Sequence, residues 1–159
     1  ILVDEMSQHK DYETLKSATY DTTLSLLELD TIIDKIDTIK TDEKPHLLHV
    51  DYAPKHIFVK DGEIVGIIDW EIVMSGITAT DFNRWRSQDN RIPMMALFEG
   101  YEKVRAVPES FWNNFIIVQM HSALRTVLYH YSISHSDVDR KKAAEEAHTL
   151  LQSGKPILI

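Results

Sequence analysis

Residues 49–70, HVDYAPKHIFVKDGEIVGIIDW, decide how this chain folds. Two β-branched runs, Ile57–Lys60 and Ile64–Ile68, flank Asp61-Gly62-Glu63, and an Asp-Gly between such runs predicts a tight hairpin. A hairpin brings its own flanks together. His56 precedes the first strand and Asp69 follows the second, so the two fall within about two residues of facing each other whichever turn forms. Asp51 lies five residues before His56, in a loop containing Pro54 that can fold back over the hairpin. Asp51, His56 and Asp69 are therefore expected at one end of one hairpin. Two carboxylates and an imidazole there could hold a divalent cation, or one carboxylate could serve as a base.

Outward from this stretch the pattern turns helical. Residues 5–18 are polar and predict a weakly amphipathic helix. From Tyr20 to Ile39 the residues Leu24, Leu27, Ile32, Ile33, Ile36 and Ile39 recur at helical spacing. Lys40–Pro45 reads as a loop, His46–His49 as a short apolar piece, and Met74–Thr80 as irregular, with a helix starting at Thr80 or Asp81. Pro93 opens a helix with Met94, Leu97, Phe98, Tyr101 and Val104 on one face. Pro108 opens a longer one reaching about Tyr131, apolar on most of its circumference. Ser136 is the expected N-cap of a last helix that ends near Gly154. Trp70 and Trp85 are expected in the core. The expected fold is mainly α with a small β-hairpin, an α+β arrangement, forming a single domain over residues 1–159.

Bulk properties narrow the function. A net charge of −8 argues against nucleic acid as a partner and favours a cationic ligand. No apolar run reaches the roughly 18 residues that a bilayer span requires, so no membrane partner is expected. The absence of cysteine removes disulfide and thiolate chemistry and fits a reducing, cytoplasmic setting. The first residues, ILVDEMSQHK, carry no signal-peptide pattern, and a start at Ile1 suggests a fragment or processed chain.

The longer stretch LLHVDYAPKHIFVKDGEIVGIIDWEIVMSGITATDF resembles the signature region of the aminoglycoside phosphotransferase family, whose fold is protein-kinase-like. Members read H-G-D-x-x-P-x-N/H, then a hairpin, then G-x-I-D-W/F, then an Asp about a dozen residues on. The resemblance spans residues 46–82, and order, spacing and hairpin context all agree. It implies that Asp51 orients or deprotonates the acceptor hydroxyl, while His56 and Asp69 hold Mg²⁺ at the phosphates of ATP or GTP. It also implies that His49 braces the loop and that Asp81 accepts hydrogen bonds from the loop backbone. Lys55 and Glu71 are accessory candidates, near the transferred phosphoryl group and the metal respectively. Val50 stands where the family has a small residue. His56 stands at a position usually held by Asn, as in the macrolide kinases and the aminoglycoside 2″-kinases.

The resemblance further implies the C-terminal lobe alone. No glycine-rich cradle and no strand lysine precede the loop, so the N-terminal nucleotide-binding lobe is expected to be absent and this chain inactive by itself. The implied activity is transfer of a γ-phosphoryl group to a hydroxyl of a small substrate. An acidic lobe suits an amine-bearing acceptor such as an aminosugar antibiotic, which would make the activity one of antibiotic resistance. Two alternatives stand beside it: a non-catalytic kinase-like binding module or relic, and a metal-dependent hydrolase using His49, Asp51, His56 and Asp69.

Overall fold

The computed structural model describes residues 9–39, 44–88 and 92–158. Within them the chain forms helices α1 (His9–Thr19) and α2 (Leu26–Asp37), then strands β1 (His46–Leu48), β2 (Ile57–Lys60), β3 (Glu63–Ile67) and β4 (Met74–Gly76). Helices α3 (Ala79–Gln88), α4 (Met94–Glu102), α5 (Phe111–Tyr129) and α6 (Asp137–Ser153) follow. Mainly helical structure with small antiparallel sheets matches the fold class read from the sequence. Two compact units divide the described residues: those before position 40 with Ile116–Ile157, and those from 44 to 115 with Leu158.

In the first unit, the single helix expected over Tyr20–Ile39 is shorter. α1 ends at Thr19, and a turn intervenes in which the Thr22 N–H and hydroxyl both donate to the Thr19 carbonyl, at 3.0 and 2.8 Å. Then Ser25 starts α2 with a capping box. Its hydroxyl accepts from the Glu28 N–H at 3.3 Å, and the Glu28 carboxylate accepts from the Ser25 N–H at 2.9 Å. Leu24 remains buried ahead of the helix, whereas Leu27 points to solvent. Leu15, Leu29, Ile32, Ile36, Leu124, Val127 and Leu150 pack the core, and Ala143, Ala144 and Ala147 give α6 a small-residue face within it. The predicted helix over 5–18 begins, in its described part, at His9; its first residues lie outside the described set.

α6 runs as the caps foretold. Ser136 accepts from the Asp139 N–H, and Gly154 adopts φ 59°, the left-handed conformation that glycine takes at low cost. α5 stops at Tyr129 rather than Tyr131, because a wider π-type turn takes over at His130–Ser134. Buried Arg140 ties the start of α6 to the end of α1. Its guanidinium donates to the Ala18 carbonyl and, at 2.7 and 2.6 Å, to Asp21 and Asp137.

The second unit holds the hairpin. Asp61 and Gly62, at φ 53° and 84°, make a two-residue turn of the kind whose twist matches the strands. Glu63 therefore belongs to β3 and pairs with Lys60, one residue earlier than the sequence suggests. Register shifts between Phe58 and Val59, a bulge that keeps Ile57 opposite Ile67.

A second sheet corrects the expectation of irregular chain at Met74–Thr80. β4 pairs antiparallel with β1, Leu48 opposite Met74 and His46 opposite Gly76. Three-residue strands carry no periodic signal of their own, and this pairing exists only because the hairpin returns the chain. The same unit has an aromatic core of Phe82, Phe98, Phe111 and Phe115, with edge-on contacts such as Phe82–Phe111 at 5.4 Å. α4 ends at Glu102 and leaves Val104 88% exposed, off the face assigned to it. Trp85 is buried as expected, but Trp70 is 42% exposed and is not a core residue.

Candidate active site

The loop between β1 and β2 is held from α3. Asp81, in the first turn of that helix, accepts from the His49 N–H at 2.9 Å and from the Val50 N–H at 2.8 Å, one bond to each carboxylate oxygen. Charge-assisted pairs of this kind are roughly twice as strong as neutral ones. They hold Val50 at φ 69°, a left-handed conformation that a β-branched residue adopts only under compulsion. The bend at Val50 turns the chain sharply between His49 and Asp51. Pro54–His56 then coil as a short 3₁₀ turn, with the His56 N–H donating to the Ala53 carbonyl at 3.0 Å.

The hairpin closes the site from the other side. The Ile68 N–H donates to the His56 carbonyl at 3.0 Å, so the ladder extends one residue past β2 and β3. Asp69 follows at φ 70°, a second left-handed residue that breaks the strand direction. His56 Nε2 and Asp69 Oδ2 stand 3.0 Å apart. Potential ligand atoms of Asp51, His56 and Asp69 all lie within 4.8 Å of one another.

Proton accounting at His56 sharpens the chemistry. Nδ1 lies 2.9 Å from the Asp51 backbone carbonyl, which can only accept, so Nδ1 carries the proton. Nε2 of the neutral ring then turns a lone pair toward a carboxylate oxygen, two acceptors face to face. Either a second proton or a cation resolves that clash. Two cis ligands at about 2.1 Å from an octahedral ion are separated by about 3.0 Å, so the spacing fits a small hard cation such as Mg²⁺. Among the side chains described, His56 and Asp69 would hold it, with an Asp51 oxygen within 4.8 Å of both.

Asp51 itself is mostly buried and meets a cation that the sequence did not single out. Arg84 Nε donates to Asp51 Oδ1 at 2.6 Å and Nη2 contacts the same oxygen. Lys55 Nζ stands 3.8 Å and His56 Nδ1 3.7 Å from Oδ2. Burial pushes the Asp51 carboxyl upward, but the bond and charge of Arg84, with Lys55 and His56, outweigh it and hold the group below the usual carboxylate range. The signal for Arg84 was its place three residues after Asp81, which puts both on one face of α3.

The other candidates fall into place around these. His49 is buried, its Nε2 lies 2.7 Å from the Ile68 carbonyl, and its ring stacks on His56 at 5.7 Å between centroids. Lys55 is largely exposed beside Asp51, while Glu71 is exposed next to Asp69's neighbour Trp70. Among the described residues no helix is long and apolar enough to cross a membrane.

A model of the phosphotransferase enzyme family matches residues 5–109, a span that takes in α1 to α4 and the whole loop, hairpin and Asp81 arrangement. No curated protein and no solved structure matches the chain. That match covers well over half of the sequence, and with the motif of residues 46–82 inside it, the chain belongs to the phosphotransferase enzyme family, the group of kinase-like folds that includes the aminoglycoside phosphotransferases.

Proposed function

We propose that this chain is the C-terminal lobe of a small-molecule kinase that transfers the γ-phosphoryl group of ATP or GTP to a hydroxyl of a small acceptor. The observation that carries the reading is the convergence of Asp51, His56 and Asp69 within 4.8 Å, in the order and hairpin context of the motif. His56 Nε2 and the Asp69 carboxylate hold Mg²⁺, whose role when bound is to neutralise phosphate charge. Arg84 occupies Asp51 Oδ1, which leaves Oδ2 to accept the acceptor's hydroxyl proton. The acceptor oxygen forms its bond to phosphorus as the bond to the leaving diphosphate breaks, and the proton passes to Asp51. Because Arg84 lowers the basicity of Asp51, that carboxylate chiefly orients the hydroxyl. His49 and Asp81 keep the loop rigid. Lys55 lies where it can approach the transferred group, and Glu71 is an accessory position at the metal side.

Support for the lobe assignment comes from the hairpin's surface. Phe58, Val59, Ile64, Val65 and Ile68 are each about half exposed or more, an apolar surface on both sides of the hairpin that suits a nucleotide base and a second lobe. An amine-bearing acceptor, such as an aminosugar antibiotic, agrees with the net charge of −8.

The test is calorimetric titration of Mg²⁺ with ATP, GTP or the non-hydrolysable analogues into the chain joined to its nucleotide-binding lobe, with Mn²⁺ binding followed by water-proton relaxation. Metal-dependent nucleotide binding that His56→Ala and Asp69→Asn both abolish supports the kinase. Absence of any such binding replaces it with the non-catalytic module.

A further inference from the structure

Helix α6 is capped within itself. Gly154, at φ 59°, donates its N–H to the Leu150 carbonyl at 3.1 Å, which closes the last turn without help from the residues that follow. Those residues stand apart from the helix. Gly154 and Lys155 are exposed, the Lys155 N–H goes to the nearby Ser153 hydroxyl at 3.2 Å, and Pro156 has no N–H to give. Ile157 is where the backbone turns to a distant partner.

That partner is one side chain. Gln119, in the middle of α5, is wholly buried between Val118 and Met120, which are buried too. Its Nε2 donates to the Ile157 carbonyl at 2.7 Å, and its Oε1 accepts from the Ile157 N–H at 3.0 Å. Among the described residues, these two are the hydrogen bonds that residues 155–158 make beyond their own turn. One amide matched to the N–H and C=O of one residue reproduces a rung between β-strands, and it reads backbone, not side chain. The Ile157 side chain packs, partly buried, against the apolar core of the helical unit. A buried amide is costly unless both of its ends are matched, so an apolar residue would serve packing better at position 119. The amide is useful there because it holds Ile157.

We infer that residues 155–158 are a releasable strap, an extended peptide docked on α5 through its backbone that leaves and returns while α5 and α6 stay folded. The self-contained cap of α6 and the exposed Gly154-Lys155 hinge make it separable. With the strap out, α5 offers a site for an extended peptide that presents a free N–H on a branched apolar residue. Its occupant is the chain's own Lys155–Leu158. Nothing in this depends on the phosphotransfer reading.

The first measurement is native-state hydrogen exchange on the whole 159-residue chain. Two hydrogen bonds and a partly buried isoleucine should slow the Ile157 amide by about 10²–10³-fold relative to an unstructured peptide. Its rate should hardly respond to low urea, whereas amides in the middle of α5 and α6 exchange more slowly and follow unfolding. Gln119→Met, similar in length but without the amide, should remove most of the protection at Ile157 and leave that of α6. The second measurement uses Ile157→Asp, which expels the strap by setting a carboxylate against the core and shortens nothing. A capped peptide of residues 154–158, Gly-Lys-Pro-Ile-Leu, should then bind saturably with a Kd on the order of 10–100 µM, the same closing constant set against a tethered concentration of about 10 mM. The peptide methylated on its isoleucine nitrogen should not bind. An unprotected Ile157 amide, protection that survives Gln119→Met, or Ile157 exchange that rises with urea in step with α5 and α6 overturns the inference. So does a peptide that fails to bind the Ile157→Asp chain well above that Kd, or that binds equally when methylated. Should either variant lose its helical circular dichroism, the urea dependence of Ile157 exchange in the unaltered chain decides.

Discussion

In the helical unit, Leu15, Leu29, Ile32, Leu124 and Leu150 are sealed from solvent, α2 and α6 carry side-chain N-caps, and among the described residues the one left-handed non-glycine residue is exposed His135 at the end of a helical turn. In the loop-and-hairpin unit, Val50, Asp61 and Asp69 all take left-handed φ, and two of them flank candidate site residues or belong to them. Left-handed backbone is thus concentrated in the unit where carboxylates and imidazoles converge. Strain of about 1–3 kcal/mol at such a residue persists only where neighbouring bonds enforce it. At Val50 the enforcing bonds run from Asp81 to the His49 and Val50 amides. The two units therefore differ in what their side chains are for: packing in one, holding a polar constellation in the other.

That contrast can be broken from either side. The largest effect belongs to the polar unit: Asp51→Asn in the complete enzyme should cut phosphoryl transfer by about 10²–10⁴-fold while the unfolding midpoint hardly moves, as steady-state kinetics and thermal denaturation will report. Arg84→Ala should leave more activity than that, and should move the acid limb of the pH–rate profile to higher pH. The sign follows from the geometry: Arg84 holds the Asp51 carboxyl low, so removing it lets burial raise the group.

In the helical unit the largest single loss should come from Arg140→Ala. It leaves the Ala18 carbonyl without its buried donor and a gap where the guanidinium lay, while half-exposed Asp21 keeps Lys141 at 2.9 Å, and urea unfolding should show about 3 kcal/mol less stability. Asp81→Ala should cost less, about 1–3 kcal/mol, but locally. The His49 and Val50 amides should exchange with solvent far faster, whereas those of α6 keep their protection.

Val50→Gly sharpens the comparison in the opposite direction. Glycine takes φ 69° without strain, so the variant should gain up to about 1 kcal/mol in thermal unfolding, the residual benefit after the extra chain entropy of glycine. A loss of stability would mean that the Val50 side chain contributes packing that outweighs its backbone strain.

The smallest effect is at acid pH in the helical unit. The Ser25 hydroxyl, and then the Ser25 backbone N–H, hold the Glu28 carboxyl at about 2, well below its ordinary value. A lowered carboxyl contributes stability that is complete above its ordinary range and fades as pH falls through about 2. Ser25→Ala should flatten that part of the stability–pH curve.

What could be read from sequence was whatever a few neighbouring residues determine. Asp61-Gly62 gave the hairpin, Ser136 and Gly154 bounded α6, and the spacing of Asp51, His56 and Asp69 about the hairpin put them together. What stayed hidden depended on through-space partners. β1 and β4 are too short to announce themselves, and Arg84 has meaning only once α3 is laid against the loop. Thr22, ordinary in a helical pattern, bonds to the Thr19 carbonyl in a turn, so α2 starts at Leu26 and not near Tyr20. Trp70 looks like core because tryptophan usually is, yet its indole N–H already bonds to the Ile67 carbonyl at 2.8 Å and its ring lies at a cavity wall.

The three-pair ladder of β1 with β4 acts as a clasp on everything between them. With His46–Leu48 fastened to Met74–Gly76, the hairpin becomes a closed excursion whose base is fixed and whose tip, Asp61-Gly62, faces solvent. Loop entropy grows only slowly with length, about 0.6 kcal/mol per doubling. Residues could therefore be inserted at that tip, a tag or a reporter included, while Asp51, His56 and Asp69 keep their spacing.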